Sequence, residues 1–528
     1  MNEQETGQPS GRDGTGVMNP PARLPASRRA AYQFPVYKWL GWLAVAGFAV
    51  GLTVMFFISG MFGVPAPLGW AFLVIVFSAG ALLLDRPKLL LNCMLFYFLL
   101  MPSNRLFGLV GLPLPGFIDE LFFLPFIAVI VMNWIQRRQL REATIFPVLF
   151  CFISALSWYV NGKPSPFTAV QVTLIMLKFY ILWYFCRLTC TFGDQRQLHR
   201  WMWVYIVYIA AQFLYNILWQ GGPWARLHPD RSGGVFGPDT HSAHMVGYLS
   251  VFALIMLASW WMGSAAQARR RVRRWAVFLV IVICYNLIFM TDTKHALVLC
   301  PFAFFPLLFH PSISARMRTG LIAAGVAFAI ASVVYFNMAV GEKQLGQYWD
   351  SIEDTPKADL VYAVTSDFQH LVPYPILGAG PGRFTSNQAR DARTPLARRY
   401  ILPYYDEARR LGYYGRQGTT VISSVVGAVN VDFLYLMGEF GWLGTAVYYW
   451  FLFWVIMRLL QKARASLSDM LLSGAYMGLA CCLIFVLLIM PLSSTTTIPV
   501  LMFPLWMLIG RSWDMPAHPE DGTPPAQA

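Results

Sequence analysis

Long apolar stretches recur along almost the whole chain, and they constrain its fold more than any other feature. A helix that crosses a bilayer needs about 20 mostly apolar residues, and about fourteen stretches approach or exceed that length. Their unbroken apolarity favours helices, because the strands of a membrane barrel alternate polar and apolar residues. The predicted spans are 39–61, 67–84, 88–103, 117–135, 144–161, 167–187, 200–219, 241–263, 273–291, 293–309, 318–338, 431–458, 469–490 and 494–511.

Composition agrees with this pattern. Hydrophobic residues make up 57% of the chain and charged residues only 12%, which is too apolar for a soluble globular protein. The sequence therefore predicts an all-α polytopic membrane protein with about fourteen transmembrane helices, or twelve at the lower bound. Residues 88–103 form the shortest segment, and the break near 291–295 could lie within one helix.

Positive charge is concentrated in alternate loops. With the N-terminus in the cytosol, the inner loops hold the basic stretches, and the short outer loops hold only isolated cations. This is the distribution that the positive-inside rule expects. Basic inner loops facing anionic lipid also account for the net charge of +14, so no nucleic-acid partner is expected. The inner basic stretches are 137–141, 187–200, 269–274, 315–318 and 458–464.

These spans divide the chain into five segments. Residues 1–38 are predicted to be a disordered cytosolic tail, and 39–338 a bundle of about eleven spans. Residues 339–430 form a long outer loop, which is predicted to be periplasmic. Spans twelve to fourteen follow in 431–511, and 512–528 is a second cytosolic tail. A loop as long as 339–430 is uncommon unless it is functional.

The chain has none of the motifs that mark common metal or nucleotide chemistry. There is no Walker A sequence, no HExxH sequence and no CxxC pair. The eight cysteines lie in or beside predicted spans, so they do not form a disulfide framework. These absences argue against an ATP-driven pump and a zinc protease.

Cations in the predicted outer loops are candidates for binding an anion. The long loop is rich in arginine, including Arg383, although these arginines could instead pair with carboxylates of the same loop. In the outer loop between the predicted spans 200–219 and 241–263, Arg231 is followed by two glycines, whose N–H groups could help to bind a phosphate. His241 follows at the mouth of the next span. Diphosphates and acidic sugars are ligands of this kind.

Two lysines lie at unusual places in the predicted spans. Lys294 lies in the short outer turn 291–295, against the charge rule. Lys178 lies midway along span six, where an ionisable residue is a functional candidate by default. Either lysine could alternatively snorkel or pair without a function.

Span twelve opens with a polar stripe. Asp432, Tyr435 and Glu439 are spaced i, i+3 and i+7, so they share one helix face. The two carboxylates are predicted to lie about 10 Å apart on a face that opens outward into a cavity. Glu439 could instead be a buried structural acid bonded to a neighbouring helix, and Gly441 and Gly444 are expected to allow close helix packing. Asp432, at the mouth, is the better candidate for chemistry.

Four segments follow one another along the chain: RSGGVFGPDTHSA, TDTKHALVL, PYPILGAGPGRF and NVDFLYLMGEFGWLG. In this order they resemble, over roughly 170–510, the O-antigen ligase and polymerase superfamily. RSGGVFGPDTHSA is similar to the family's Arg-x-x-Gly…Pro-Asn segment, and TDTKHALVL to its Ser-Arg-Gly turn, with Lys294 at the arginine. PYPILGAGPGRF resembles the family's Pro-x-x-Gly-x-Gly-x-x-x-Phe segment in its periplasmic loop. NVDFLYLMGEFGWLG resembles its His-Asn-x-x-Leu…Glu-x-Gly-x-x-Gly segment.

The resemblance implies an enzyme of the bacterial inner membrane that acts at the periplasmic face. Its substrate would be an oligosaccharide carried by undecaprenyl diphosphate in the bilayer, and its partners could include other polysaccharide-assembly proteins. A sugar hydroxyl attacks the anomeric carbon, and the lipid diphosphate leaves without a metal or a nucleotide. The resemblance implies that no metal and no cofactor is needed and that Arg231 and Lys294 hold the diphosphate. With the residues selected by position, the candidate substrate-binding residues are Arg231, Lys294, Arg383, His241, Glu439, Tyr435 and Lys178.

Departures from the family pattern favour one member of it. Ligases have histidine where this chain has Asn430, which cannot accept a proton, whereas Asp432 could. We therefore expect Asp432 to accept or orient the acceptor hydroxyl and Asn430 to position the sugar. A Val-Asp pair at this junction favours a polymerase of exopolysaccharide or O-antigen repeats over a ligase that transfers polymer to lipid A-core. A flippase or transporter is a further alternative, although its charges would be spread over many spans.

Overall fold

The computed structural model describes most of the helical part of the chain. The predicted spans 39–61 and 67–84, the tail 1–38, Arg231 and Asn430 lie outside the described residues. The described residues are 86–100, 123–137, 144–161, 165–219, 240–285, 287, 293–311, 313–316, 318–320, 322–323, 325–327, 330, 360–403, 431–493 and 499–515.

All regular secondary structure in these residues is helical, and they contain no β-strand. The long helices are α1 (Pro87–Leu100), α2 (Leu124–Arg137), α3 (Ile145–Val160), α4 (Pro166–Thr189), α5 (Gln195–Trp219), α6 (Thr240–Gly263), α7 (Ala266–Tyr285), α8 (Lys294–Ala303), α9 (Asp432–Ala465), α10 (Met470–Ile489) and α11 (Pro499–Ser512). The prediction of an all-α protein is therefore confirmed for the part of the chain that the structure describes.

The predicted apolar stretches coincide with these helices. A helix occupies each stretch from 88–103 to 293–309 and from 431–458 to 494–511. Among the described residues, five helices are long and apolar enough to cross a membrane: α4, α5, α6, α9 and α10. The others fall below that limit because they are short or, in α7, because five arginines lie between Arg269 and Arg274. The total of about fourteen spans stays a prediction.

Helix α9 is sharply bent at Gly441, within the predicted span 431–458. Gly441 has a φ of 69°, a left-handed value that breaks the helical path. The rings of Phe433 and Tyr449 lie 6.2 Å apart, although residues 16 positions apart in a straight helix are separated by about 24 Å. We call 432–440 the short arm of α9 and 442–465 its long arm.

Small residues allow the central helices to pack closely. A Cβ at Gly474 would lie 2.6 Å from the carbonyl oxygen of Ser259, and one at Gly263 would lie 2.5 Å from that of Met470. These contacts join the end of α6 to the start of α10, as small residues do where membrane helices meet. Elsewhere aromatic rings fill the core, as where Phe146 of α3 stacks on Phe451 of α9 at 4.1 Å.

Residues 360–403, here called the loop segment, fold into a unit with an apolar core of its own. Phe384 lies at its centre and contacts the rings of Phe368 and Tyr400. Leu434 and Met437 of the short arm belong to the same core, so the short arm joins the loop segment to the helices. The loop segment contains the short helical turns Ala363–Asp367, Phe368–Leu371, Pro375–Leu377, Asn387–Asp391 and Pro395–Tyr400.

The helices present two chemically different ends. The loop segment, the short arm and the first turns of α6 and α8 lie together, and we call this the loop end. At the other end, the basic end, Arg187 forms a salt bridge with Asp514 at 2.9 Å. Arg458 and Lys462 of α9 also lie there and contact the rings of Trp454 and Trp513. The structure thus separates the arginine-rich helix ends from the loop segment.

Candidate functional site

The first residue of the short arm, Asp432, is held at the loop end by backbone contacts. Its N–H donates to the carbonyl oxygen of Ser493 at 3.4 Å, and that of Phe433 donates to Met490 at 3.2 Å. These bonds fasten the start of α9 to the end of α10. The Asp432 side chain is 1% exposed, and its position in the first turn lets the helix dipole stabilise a negative charge.

Side chains from α6 and α8 form a hydrogen-bonded group near the start of α9. The Tyr248 hydroxyl lies 2.5 Å from Nε2 of His295 and is hydrogen-bonded to the side chain of Ser493. Asp432 interacts electrostatically with the Tyr248 hydroxyl, and its N–H donates to the backbone of the same Ser493. The ring of His244 meets that of His295 edge-on, with centroids 5.1 Å apart. We call His244, Tyr248, His295, Asp432 and Ser493 the polar cluster.

The sequence places these groups together through helix geometry. His244 and Tyr248 are four residues apart, so they lie on the same face of α6. His295 is the second residue of α8, and Asp432 is the first of α9. Three helices therefore begin at one point, and each contributes a titratable side chain within its first turns. Such a grouping can accept, donate and relay protons.

Tyr449, on the long arm, completes the surroundings of Asp432. The bend at Gly441 brings it back toward the start of the short arm, where it interacts electrostatically with Asp432. Its hydroxyl is buried and has no hydrogen-bond partner among the described residues. A buried hydroxyl without a partner costs about 1–3 kcal/mol, so this position suits a polar group of a ligand.

The second carboxylate of the short arm, Glu439, has a different environment. It is 0% exposed, and its two oxygens accept four backbone N–H groups of the loop segment. Oε2 accepts from Gly382 at 2.5 Å and Arg383 at 2.9 Å, and Oε1 accepts from Phe384 at 3.1 Å and Ser386 at 2.9 Å. The carboxylate therefore organises the turn GPGRFTS of the loop segment.

Backbone contacts between two glycines complete this junction. Gly378 and Gly441 both have positive φ, 74° and 69°. A Cβ on either glycine would overlap the backbone nitrogen of the other, so the chains approach as closely as the backbone allows. The N–H of Ala379 then donates to the carbonyl oxygen of Gly438 at 2.7 Å. N–H groups of the loop segment thus form hydrogen bonds to carbonyl groups of the short arm next to the bend in α9.

Polar side chains at the end of α3 bind the backbone of residues 374–378 of the loop segment. Asn161 donates to the carbonyl oxygens of Gly378 at 2.7 Å and Tyr374 at 3.1 Å, and accepts from the N–H of Tyr374 at 2.7 Å. Ser157 donates to the carbonyl oxygen of Leu377 at 2.5 Å. Every one of these contacts is structural, since each joins the loop segment to the helices.

Arg383, predicted to bind substrate, is part of this junction. Its guanidinium donates to the carbonyl oxygens of Asn161 and Ala379. Burial lowers the pKa of the guanidinium, and the negative charge of Glu439 offsets part of that effect. Arg399 pairs with a carboxylate of the same loop, as the alternative interpretation predicted, because its guanidinium lies 3.9 Å from the carboxylate of Asp367. The substrate-binding role of Arg383 stays a prediction.

The remaining predicted residues are placed as follows. Glu439 has the environment of a buried structural acid, which was one of its two predicted roles. Its partners are backbone amides of the loop segment, whereas the prediction placed them on a neighbouring helix. Tyr435 is buried within the short arm, and Lys178 is 2% exposed in α4. The side chains of His241 and Lys294 are outside the described part of the chain, as are the whole of Arg231 and Asn430.

Sequence reasoning missed Tyr248 and His295 as site residues, and it passed over His244 in favour of His241. The missed signal was spacing: His244 and Tyr248 share a helix face, and His295 directly follows the candidate Lys294. It also missed Asn161, whose role depends on carbonyl groups more than 200 positions away. No local pattern predicts such a contact.

Within the described residues, no group of three or more His, Cys, Asp or Glu side chains has an arrangement that could hold a metal ion. Comparison with known proteins gives no further guide to the site. No protein-family model matches the chain, and no curated protein matches it.

Proposed function

We propose that this protein is a membrane glycosyltransferase that polymerises glycan repeat units of an exopolysaccharide or O-antigen. It would transfer a glycan from undecaprenyl diphosphate to a hydroxyl of the acceptor sugar, without a metal ion. The resemblance of four ordered segments to the O-antigen ligase and polymerase superfamily supports the class of reaction. The polar cluster at the loop end is the observation that carries the proposal.

The chemistry of glycosyl transfer fits the groups in the polar cluster. An attacking hydroxyl must lose its proton, and a positioned base contributes about a hundredfold to ten-thousandfold in rate. Asp432 and His295 are groups of that kind, and the buried hydroxyl of Tyr449 could bind a sugar hydroxyl. The leaving diphosphate needs cations, a role that we assign to Arg231 and Lys294.

The orientation in the membrane is part of the proposal. We infer about fourteen spans in the bacterial inner membrane, with the loop end in the periplasm and both tails in the cytosol. The arginine-rich basic end would then face inward, as the charge rule requires. Lipid-linked sugars and the growing polymer would be reached from the periplasm.

Cysteine labelling tests this orientation. Ala392 is an exposed residue of the loop segment, and Ala465 is an exposed residue at the basic end. In a background without the exposed Cys93 and Cys151, Ala392→Cys should react with an impermeant thiol reagent in intact spheroplasts. Ala465→Cys should react only after lysis. The reverse pattern would refute the orientation.

The lipid-linked species in a deletion strain tests the reaction itself. Loss of a polymerase should leave single repeat units on undecaprenyl diphosphate at the outer face. Finished polymer on the lipid carrier would indicate a ligase instead, and repeat units confined to the inner face would indicate a flippase. Purified protein should also elongate chains from the extracted repeat units without added metal or nucleotide.

Substitution of the two proposed diphosphate ligands tests the binding of the leaving group. Arg231→Ala and Lys294→Ala should each abolish polymer formation while the amount of protein in the membrane stays normal. Lys294→Arg should retain activity because it keeps the positive charge. Full polymer from either alanine variant would remove that residue from the site.

A further inference from the structure

The polar cluster contains one carboxylate that is enclosed and two imidazoles that are not. Asp432 is 1% exposed, whereas His244 and His295 are partly exposed. A group that takes a proton from a substrate hydroxyl must come within hydrogen-bond distance of it. The partly exposed imidazoles meet this condition more readily than the enclosed carboxylate.

Of the two imidazoles, His295 has the better-defined support. Its Nε2 lies 2.5 Å from the Tyr248 hydroxyl, which is itself hydrogen-bonded to Ser493 and lies in the field of Asp432. When Nε2–H donates to Tyr248, the basic lone pair of the imidazole is on Nδ1. A nearby carboxylate also stabilises the imidazolium that forms when the ring gains a proton.

We propose that His295 accepts the proton of the acceptor hydroxyl, and that Asp432 is a positioning residue that acts through Tyr248. This inference rests on the proposed function and names the base within it. It replaces the sequence-based assignment of the base to Asp432. The phenol of Tyr248 contacts the imidazole of His295 and lies in the field of Asp432, and the three groups belong to three different helices.

The proposed transfer needs only the two substrates and His295. The acceptor oxygen forms a bond to the anomeric carbon, and the bond from that carbon to the diphosphate oxygen breaks. The diphosphate leaves with the electron pair, and the hydroxyl proton moves to His295. The imidazolium then returns the proton to water or to the departing diphosphate, so no oxidant or co-reactant is needed.

Chemical rescue tests this assignment. The measurement is chain elongation by purified protein on lipid-linked repeat units extracted from the deletion strain. His295→Ala should lose about a hundredfold or more in turnover, and added imidazole should restore at least about tenfold of it, because free imidazole can replace the missing base. His244→Ala is the matched control, and imidazole should leave its turnover unchanged.

A second variant separates loss of the base from loss of the fold. His295→Gln keeps an N–H that can donate to Tyr248 but has no basic nitrogen, so it should fold normally and stay inactive. Wild-type turnover from His295→Gln would overturn the proposal. Rescue of Asp432→Ala by formate, with no rescue of His295→Ala by imidazole, would return the role of base to Asp432. A wild-type protein that elongates no chain would overturn the proposed function together with this inference.

Discussion

Asp432 and Glu439 are two carboxylates on the same short arm, about two helical turns apart, and their surroundings differ completely. Glu439 accepts four backbone N–H groups from a single turn of the loop segment. Asp432 interacts electrostatically with the phenol of Tyr248, which contacts the imidazole of His295. Both carboxylates are almost fully buried, so burial alone does not distinguish their roles.

The difference lies in the chemistry of the neighbours. Backbone amides do not titrate, so a carboxylate saturated by them can hold a fold together but cannot exchange protons with it. Imidazole and phenol groups do titrate, and a carboxylate beside them can direct where a proton resides. The structure therefore favours a structural role for Glu439, and we assign the chemical role to the surroundings of Asp432.

Glu439→Gln should have the largest effect on stability. A glutamine has one acceptor oxygen, so at least two of the four loop N–H groups would face an NH₂ group instead of an acceptor. With each buried donor costing about 1–3 kcal/mol, the free energy of unfolding should fall by on the order of 3 kcal/mol. Thermal unfolding in detergent and proteolysis within 360–403 measure this loss.

The control for Glu439→Gln is the same chemical change at an exposed carboxylate. Asp514→Asn removes a partly exposed salt bridge with Arg187 at the basic end, a contact worth about 0–1 kcal/mol. It should leave the loop segment resistant to protease. Equal sensitivity of the two variants would show that Glu439 does not organise the loop segment.

Asp432→Asn should affect turnover and spare the fold. The amide keeps the shape of the carboxylate but removes the charge that would stabilise a protonated His295. Turnover in the chain-elongation assay should fall about a hundredfold, the scale of a lost acid–base contribution, while the unfolding temperature stays close to that of the wild type. Destabilisation as large as that of Glu439→Gln would break the comparison between the two carboxylates.

Gly441→Ala tests the bend that separates the two environments. An alanine at a φ of 69° costs about 1–2 kcal/mol, and its Cβ would also overlap the backbone of Gly378. We expect a loss of about 2 kcal/mol or more and weaker attachment of the loop segment. Gly320→Ala is the control, because a Cβ there meets no atom within 4 Å.

Ser157→Ala should have the smallest effect. It removes one hydrogen bond to the carbonyl oxygen of Leu377, while Asn161 continues to hold the neighbouring turn. The expected loss of stability is about 1 kcal/mol, with turnover unchanged. A loss as large as that of Glu439→Gln would mean that α3, and not the short arm, is the main support of the loop segment.

The sequence by itself determined where the helices lie. Apolar stretches as long as a membrane span can satisfy their backbone groups only within a helix, so their positions follow from local composition. Polar residues at the starts of helices, such as Asp432, were predicted from the same local composition, because they border an apolar stretch. The two roles open to Glu439 could not be separated at this level, because both place a carboxylate on the same helix face.

Only the tertiary structure decided which groups meet. The partners of Glu439 lie between 53 and 57 residues away in the chain, and Tyr248 and His295 are 47 residues apart. The bend at Gly441 depends on close approach by Gly378, which a local pattern does not contain. Hydrogen-bond partners are fixed by packing between distant segments, whereas helix formation is fixed by neighbours in the chain. For that reason the sequence predicted the helices of this protein, and the fold assigned different surroundings to its two carboxylates.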